Sequence, residues 1–172
     1  MNADPTSRLP EAEDFRAECQ SIYELLRDAP DWVWDEPTGF KGWTAIDVLA
    51  HLHKFNEGAA LTLESDDAFA RFTAGFRRAV DGGMSGAEYT RIWAEIESGP
   101  ELLERWRRYA DVLADLYLNL DPRRRVPWAR GVTMSARSCI SARQMEAWAH
   151  AQAMFDVMGV ERVDADRLRN VA

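Results

Sequence analysis

Apolar residues recur every three to four positions over most of this chain, the spacing of helices that each bury one face. Phe15, Cys19, Ile22, Tyr23 and Leu26 predict a first helix from about Pro10 to Asp28, closed by Pro30. The stretch Asp31 to Trp43 is rich in Trp, Pro and Gly and reads as a packed loop, because nothing continues the alternation of Trp32 and Trp34. Thr44 is placed as the N-cap of a second helix reaching about Leu63, with Val48, Leu52, Phe55 and Ala59 along its apolar stripe. A shorter helix over Asp66 to Val80 stops at Gly82-Gly83, and another is expected over Ser85 to Ile96. After Ser98-Gly99-Pro100 comes a helix from about Glu101 to Leu118, carrying Leu102, Leu103, Trp106, Tyr109, Leu113 and Leu116. Asp121 to Ser138, with Pro122, Pro127 and Gly131, reads as irregular. A last helix runs from about Ser138 to Met158 and ends at Gly159, followed by a short polar tail from Val160.

Four main helices, with one or two short ones between the second and third, make an all-α fold of the helix-bundle type. The 172 residues fit one domain over 1–172, and a 47% hydrophobic, 29% charged composition is that of a globular chain. A formal net charge of -8 points away from nucleic acid as a partner, and Arg123 to Arg125 read as a solvated loop. No apolar run approaches the roughly 20 residues of a membrane-spanning helix, so no membrane association is expected. Met1 to Phe15 lacks a basic region followed by an apolar one, which points away from a secretory signal. Cys19 and Cys139 form no CxxC pair, and Cys19 falls on the first helix's apolar stripe as a buried thiol. A cytoplasmic location is the expectation.

The candidate chemistry rests on scarce histidine: only His51, His53 and His150. Glu146 and His150 are four residues apart on the last helix, so their side chains share one face and can reach a common cation. That helix is apolar nearly all round, with Met145, Trp148, Phe155 and Met158 on one side and Ala142, Ala153, Met154 and Val157 flanking the pair. A buried carboxylate there needs a metal or a protonated partner, and an intrahelical Glu–His⁺ pair would satisfy it equally. His51 lies at the inner edge of the second helix's stripe, whereas His53 is expected at the surface. Asp47, one turn before His51, reads as a first-turn acid favoured by the helix dipole, and Asn56 has no assignable role.

Two motifs extend this reading. GWTAIDVLAHL (Gly42 to Leu52) resembles the second-helix signature of DinB-like proteins, closest to the mycothiol-dependent maleylpyruvate isomerase-type metal-binding domain. MSARSCISARQMEAWAHAQ (Met134 to Gln152) resembles the last-helix signature of the same group. The resemblance implies a DinB-like four-helix bundle of up-down-down-up topology with His51, Glu146 and His150 as the three ligands of a divalent metal, usually zinc. It further implies a thiol-dependent isomerase or transferase using a low-molecular-weight thiol such as mycothiol or glutathione. The thiolate would add to a cis double bond, and elimination after rotation would give the trans product. A metal-dependent hydrolase on the same site, or a non-catalytic metal-binding module, are the alternatives. A dicarboxylate substrate would want an arginine fork, for which Arg137 and Arg143 are the nearest candidates and Arg77, Arg78 and Arg91 more distant ones. Two departures from the group stand out: Ala153 where relatives carry an acid, and a sequence that stops after Asp166 to Ala172 where relatives usually continue into a smaller C-terminal α/β domain, as expected of either a natural short form or a fragment. If the chain is a remnant, the apolar patch left by that domain would be exposed, and self-association as a homodimer is expected.

Overall fold

Serine and threonine caps set where the helices start. The computed structural model describes residues 8–95, 98–129 and 131–171. It places helices α1 (Pro10–Leu26), α2 (Ala45–Glu64), α3 (Asp66–Asp81), α4 (Gly86–Trp93), α5 (Gly99–Leu118) and α6 (Ala136–Met158). Thr44 and Asp47 form a reciprocal capping box at the head of α2. Ser65, Ser85, Ser98 and Ser135 each accept a backbone N–H at the head of the next helix. Pro10 and Pro100 sit in first turns, where a missing N–H costs nothing. Gly159, with φ 64°, adopts the left-handed conformation that closes α6.

Pairwise contacts fix the topology of the four long helices. α1 runs antiparallel to α5: the Leu9 N–H donates to the Leu118 carbonyl at 2.9 Å, and Tyr23 Oη to Glu104 at 2.6 Å. α2 runs parallel to α5, with His53 against Tyr109 and the Tyr117 hydroxyl donating to the Ala59 carbonyl at 3.1 Å. α2 runs antiparallel to α6, so that His51 meets Glu146 while Asn56 meets Arg143. The order is therefore up-down-down-up, a DinB-like bundle. Its core holds Phe15, Ile22, Leu49, Leu52, Leu102, Trp106, Leu113, Tyr117 and Ile140, all fully buried or nearly so. Helices α3 and α4 make the crossing from α2 to α5 and pack on the outer side of α2.

The structure departs from the sequence-based expectation, or adds to it, in three places. The stretch expected to be irregular contains an antiparallel hairpin, β1 (Arg125–Ala129) and β2 (Val132–Ser135), turning through Gly131 at φ 72°. Pro127 is tolerated because the ribbon has only two strands and its register slips beside that residue. The polar tail is no loose end: Arg162 and Arg167 both pair with Glu18, which is wholly buried in α1. His53 is buried, not at the surface, because Trp93 of α4 and Tyr109 of α5 both pack against its ring. The fourth helix ends at Trp93, and the expected end at Ile96 lies outside the described residues. No helix among the described residues is long and apolar enough to cross a membrane.

Candidate metal centre

Antiparallel packing of α2 on α6 brings His51 opposite one turn of α6, the turn between Glu146 and His150. His51 Nε2 lies 3.5 Å and His150 Nε2 3.2 Å from the same carboxylate oxygen, Glu146 Oε2. One ligating atom from each residue lies within 4.8 Å of the others, and all three side chains are half-buried. Among the described residues this is the one cluster of histidine, cysteine or acid with metal-site geometry.

The electrostatics hold Glu146 and His51 in ligating states. Hydrogen bonding to His150 and then to His51 holds the Glu146 carboxyl far below the usual carboxylate range, against the opposing effect of burial. Burial, foremost, pushes the His51 imidazole below its ordinary value, so at neutral pH this ring is uncharged and keeps a lone pair. One anionic carboxylate and two imidazoles converging on a point match the donor chemistry of zinc and similar divalent ions.

Aromatic rings hold the histidines in place. Trp43 stacks on His150 at 5.8 Å with planes 5° apart, and its centroid lies 5.3 Å from that of His51. Phe40 meets the His150 ring edge-on at 4.9 Å, and Phe55 lies 4.7 Å from that of His51. The Phe40–Trp43 loop reaches over the site because Lys41 and Gly42 both adopt positive φ, 53° and 69°. That reversal is tied by the Thr38 N–H donating to the Trp43 carbonyl at 2.8 Å.

Beside the cluster opens a cavity of about 240 Å³, with His51 and Glu146 in its wall. Its floor is apolar: Phe55, Gly58 and Ala59 from α2, Phe69 and Phe72 from α3, Pro127 and Trp128 from β1. Polar groups reach it from Thr62, Thr73, Cys139 and Arg143. The Cys139 thiol lies 3.2 Å from the Tyr117 hydroxyl oxygen, and burial pushes its pKa up, so it is not a ready nucleophile. A wider, more polar groove of about 700 Å³ shares Phe69, Thr73 and Pro127 with this cavity and runs out between α3 and the hairpin past Arg77 and Arg78.

The arginine candidates separate cleanly. Arg143 lines the cavity, whereas Arg137 is an exposed partner of Glu11 at 3.0 Å and stays away from it. Arg91 is committed to Asp47, donating from Nε to Oδ1 at 2.8 Å. Asp47 thus serves the capping box and Arg91 and makes no hydrogen bond to His51, in keeping with the first-turn reading. Asn56 does have a role that sequence spacing missed: its Oδ1 accepts from Arg143 Nε at 3.2 Å. No local signal pointed to it, because its partner depends on the register of α2 against α6.

Bundle topology and the His/Glu/His cluster define a DinB-like helical domain with a metal-type site. Comparison with known families makes this more specific: residues 15–155 match the mycothiol maleylpyruvate isomerase N-terminal domain, and the chain belongs to that family. The family is associated with mycothiol and with metal binding. The chain is also similar to uncharacterized proteins from two strains of Mycobacterium tuberculosis, 34% identical over 164 residues. That alignment covers 95% of this chain, which spans only 62% of the length of those relatives. No solved structure matches the chain.

Proposed function

We propose that His51, Glu146 and His150 hold one divalent metal, zinc by donor type, and that the domain serves a thiol-dependent isomerase or transferase. The co-substrate would be a low-molecular-weight thiol of the mycothiol kind, as the family's description suggests. The observation that carries the metal reading is the convergence of three donor atoms within 4.8 Å at the mouth of a small-molecule cavity.

Three protein ligands leave a coordination position open, where a bound metal lowers the pKa of a thiol or water. The chain's own residues do the rest. Glu146 supplies the negative charge that makes the site selective for a cation, and the uncharged His51 offers its lone pair without a competing proton. Trp43 and Phe40 fix the orientation of His150. Phe55, Phe72 and Trp128 line the space next to the ligands with apolar surface, against which the body of a small organic substrate can pack.

The test is metal content of wild type beside His51→Ala and Glu146→Ala after zinc reconstitution. One equivalent is expected in wild type and little in either variant; a wild type that stays metal-free overturns the site. The thiol reading is tested by zinc-dependent binding of mycothiol and by thiol-dependent turnover of maleylpyruvate. Turnover no greater than that of His51→Ala overturns the isomerase assignment.

A further inference from the structure

Arg143 is 3% exposed, yet its only hydrogen bond among the described residues is from Nε to the neutral amide oxygen of Asn56. Its Nη2 is buried without a hydrogen-bond partner, and it forms no salt bridge among those residues. A second buried arginine of this fold shows the ordinary solution: Arg162 is paired directly with the carboxylate of Glu18. Glu146, one turn from Arg143 on the same helix, is already engaged by two imidazoles. A guanidinium removed from water, near Glu146 but hydrogen-bonded to no carboxylate, is a binding group waiting for one.

The cavity tells what else the ligand carries. Among its described lining residues Arg143 is the one cation, and the surfaces around it are Phe55, Phe69, Phe72 and Trp128. Arg137 lies elsewhere, so a second charged group on the ligand has to sit outside this cavity, toward the groove that passes Arg77 and Arg78. About 240 Å³ is below the usual range of drug-sized pockets, so the ligand is small. We propose that the cavity takes a small organic carboxylate with one charged end, held by Arg143, and an apolar or aromatic body packed against these rings. Asn56 is the positioning residue that orients the guanidinium. The inference deepens the reading of the metal centre by naming the class of its ligand. Recognition at Arg143 needs no metal, so the two can fail separately.

The experiment titrates metal-free protein with 3-phenylpropanoate and with its uncharged amide, 3-phenylpropanamide, by calorimetry. The carboxylate is expected to bind at least about tenfold more tightly than the amide, because only it satisfies the buried guanidinium. Arg143→Met, which replaces a buried charge with an apolar side chain of similar length, is expected to fold and to lose that preference. Arg143→Lys is expected to keep part of it. Equal affinity for acid and amide in wild type overturns the proposal. So does an undiminished preference in Arg143→Met, or no binding of either compound at millimolar concentration. The wild-type comparison decides the charge requirement even if a variant fails to fold. A failed metal centre would instead show as absent zinc in the reconstitution.

Discussion

The indole of Trp43 and the imidazole of His150 lie face to face, 5.8 Å between centroids and 5° between planes. Trp43 belongs to the loop before α2 and His150 to α6, so one contact ties the loop to the helix that carries two of the candidate ligands. Outer contacts of this kind hold a ligand ring in its binding orientation. Trp43→Leu is expected to weaken zinc affinity about tenfold while leaving helix content unchanged. Competition with a zinc chelator reads the first, and far-UV circular dichroism the second.

Glu18 is the most deeply buried acid of the fold, clasped by Arg162 and Arg167 from the tail. Removing its charge leaves two guanidinium groups facing a neutral amide in a dry setting. Glu18→Gln is expected to cost about 3–5 kcal/mol of unfolding free energy. Urea unfolding checks this, and a loss under about 1 kcal/mol would mean that the pair is solvated in solution.

Lys54 sits 3.8 Å from the Phe72 centroid and 4.7 Å from that of Trp93, buried and without a hydrogen-bond acceptor for Nζ. Burial lowers its pKa from 10.5 to about 8. Between those values the unfolded chain holds a proton that the folded one does not, so this residue's contribution to stability rises with pH across that window. Below it, the cost of burying the charge is fully present. The stability of wild type relative to Lys54→Met is therefore expected to be lowest near pH 7 and to climb toward pH 10. Parallel urea titrations of the two proteins at both pH values give the sign directly.

Gly99 opens α5 directly beneath Trp34, and a Cβ at this position would overlap the indole ring. Trp34 is 5% exposed and has little room to shift. Gly99→Ala is expected to destabilise the fold by about 1–3 kcal/mol, measurable as a lowered Tm.

What could be read in advance followed from local rules. The long helices were visible because Phe15, Cys19 and Ile22, or Leu102, Trp106 and Leu113, repeat at helical spacing and stop at Pro, Gly or a capping hydroxyl. The meeting of His51 with Glu146 and His150 was foreshadowed by inward placement and by the two motifs, since neighbouring helices determine only which faces touch. The hairpin escaped notice because Pro127 and Gly131 mark breaks equally well in a loop or a ribbon. His53 was misplaced for a different reason. A helical wheel shows which side of α2 is apolar, but whether α4 later covers the other side depends on the path of the chain between α2 and α5. Asn56 and Arg143 gained their meaning only when the antiparallel register of α2 and α6 was known.

The hairpin joins α5 to α6 and lends the cavity Pro127 and Trp128, yet it supplies none of the three candidate ligands and only Val126 to the core. The hairpin's share of the cavity wall is thus written on a different stretch of the chain from the candidate ligands, whereas Arg143 shares α6 with two of them. Exchanging the ribbon's side chains would resize the ligand chamber while the helices that carry His51, Glu146 and His150 keep their alignment. A domain built in this way can be retuned to new small molecules by altering Pro127 and Trp128 rather than by rebuilding its framework.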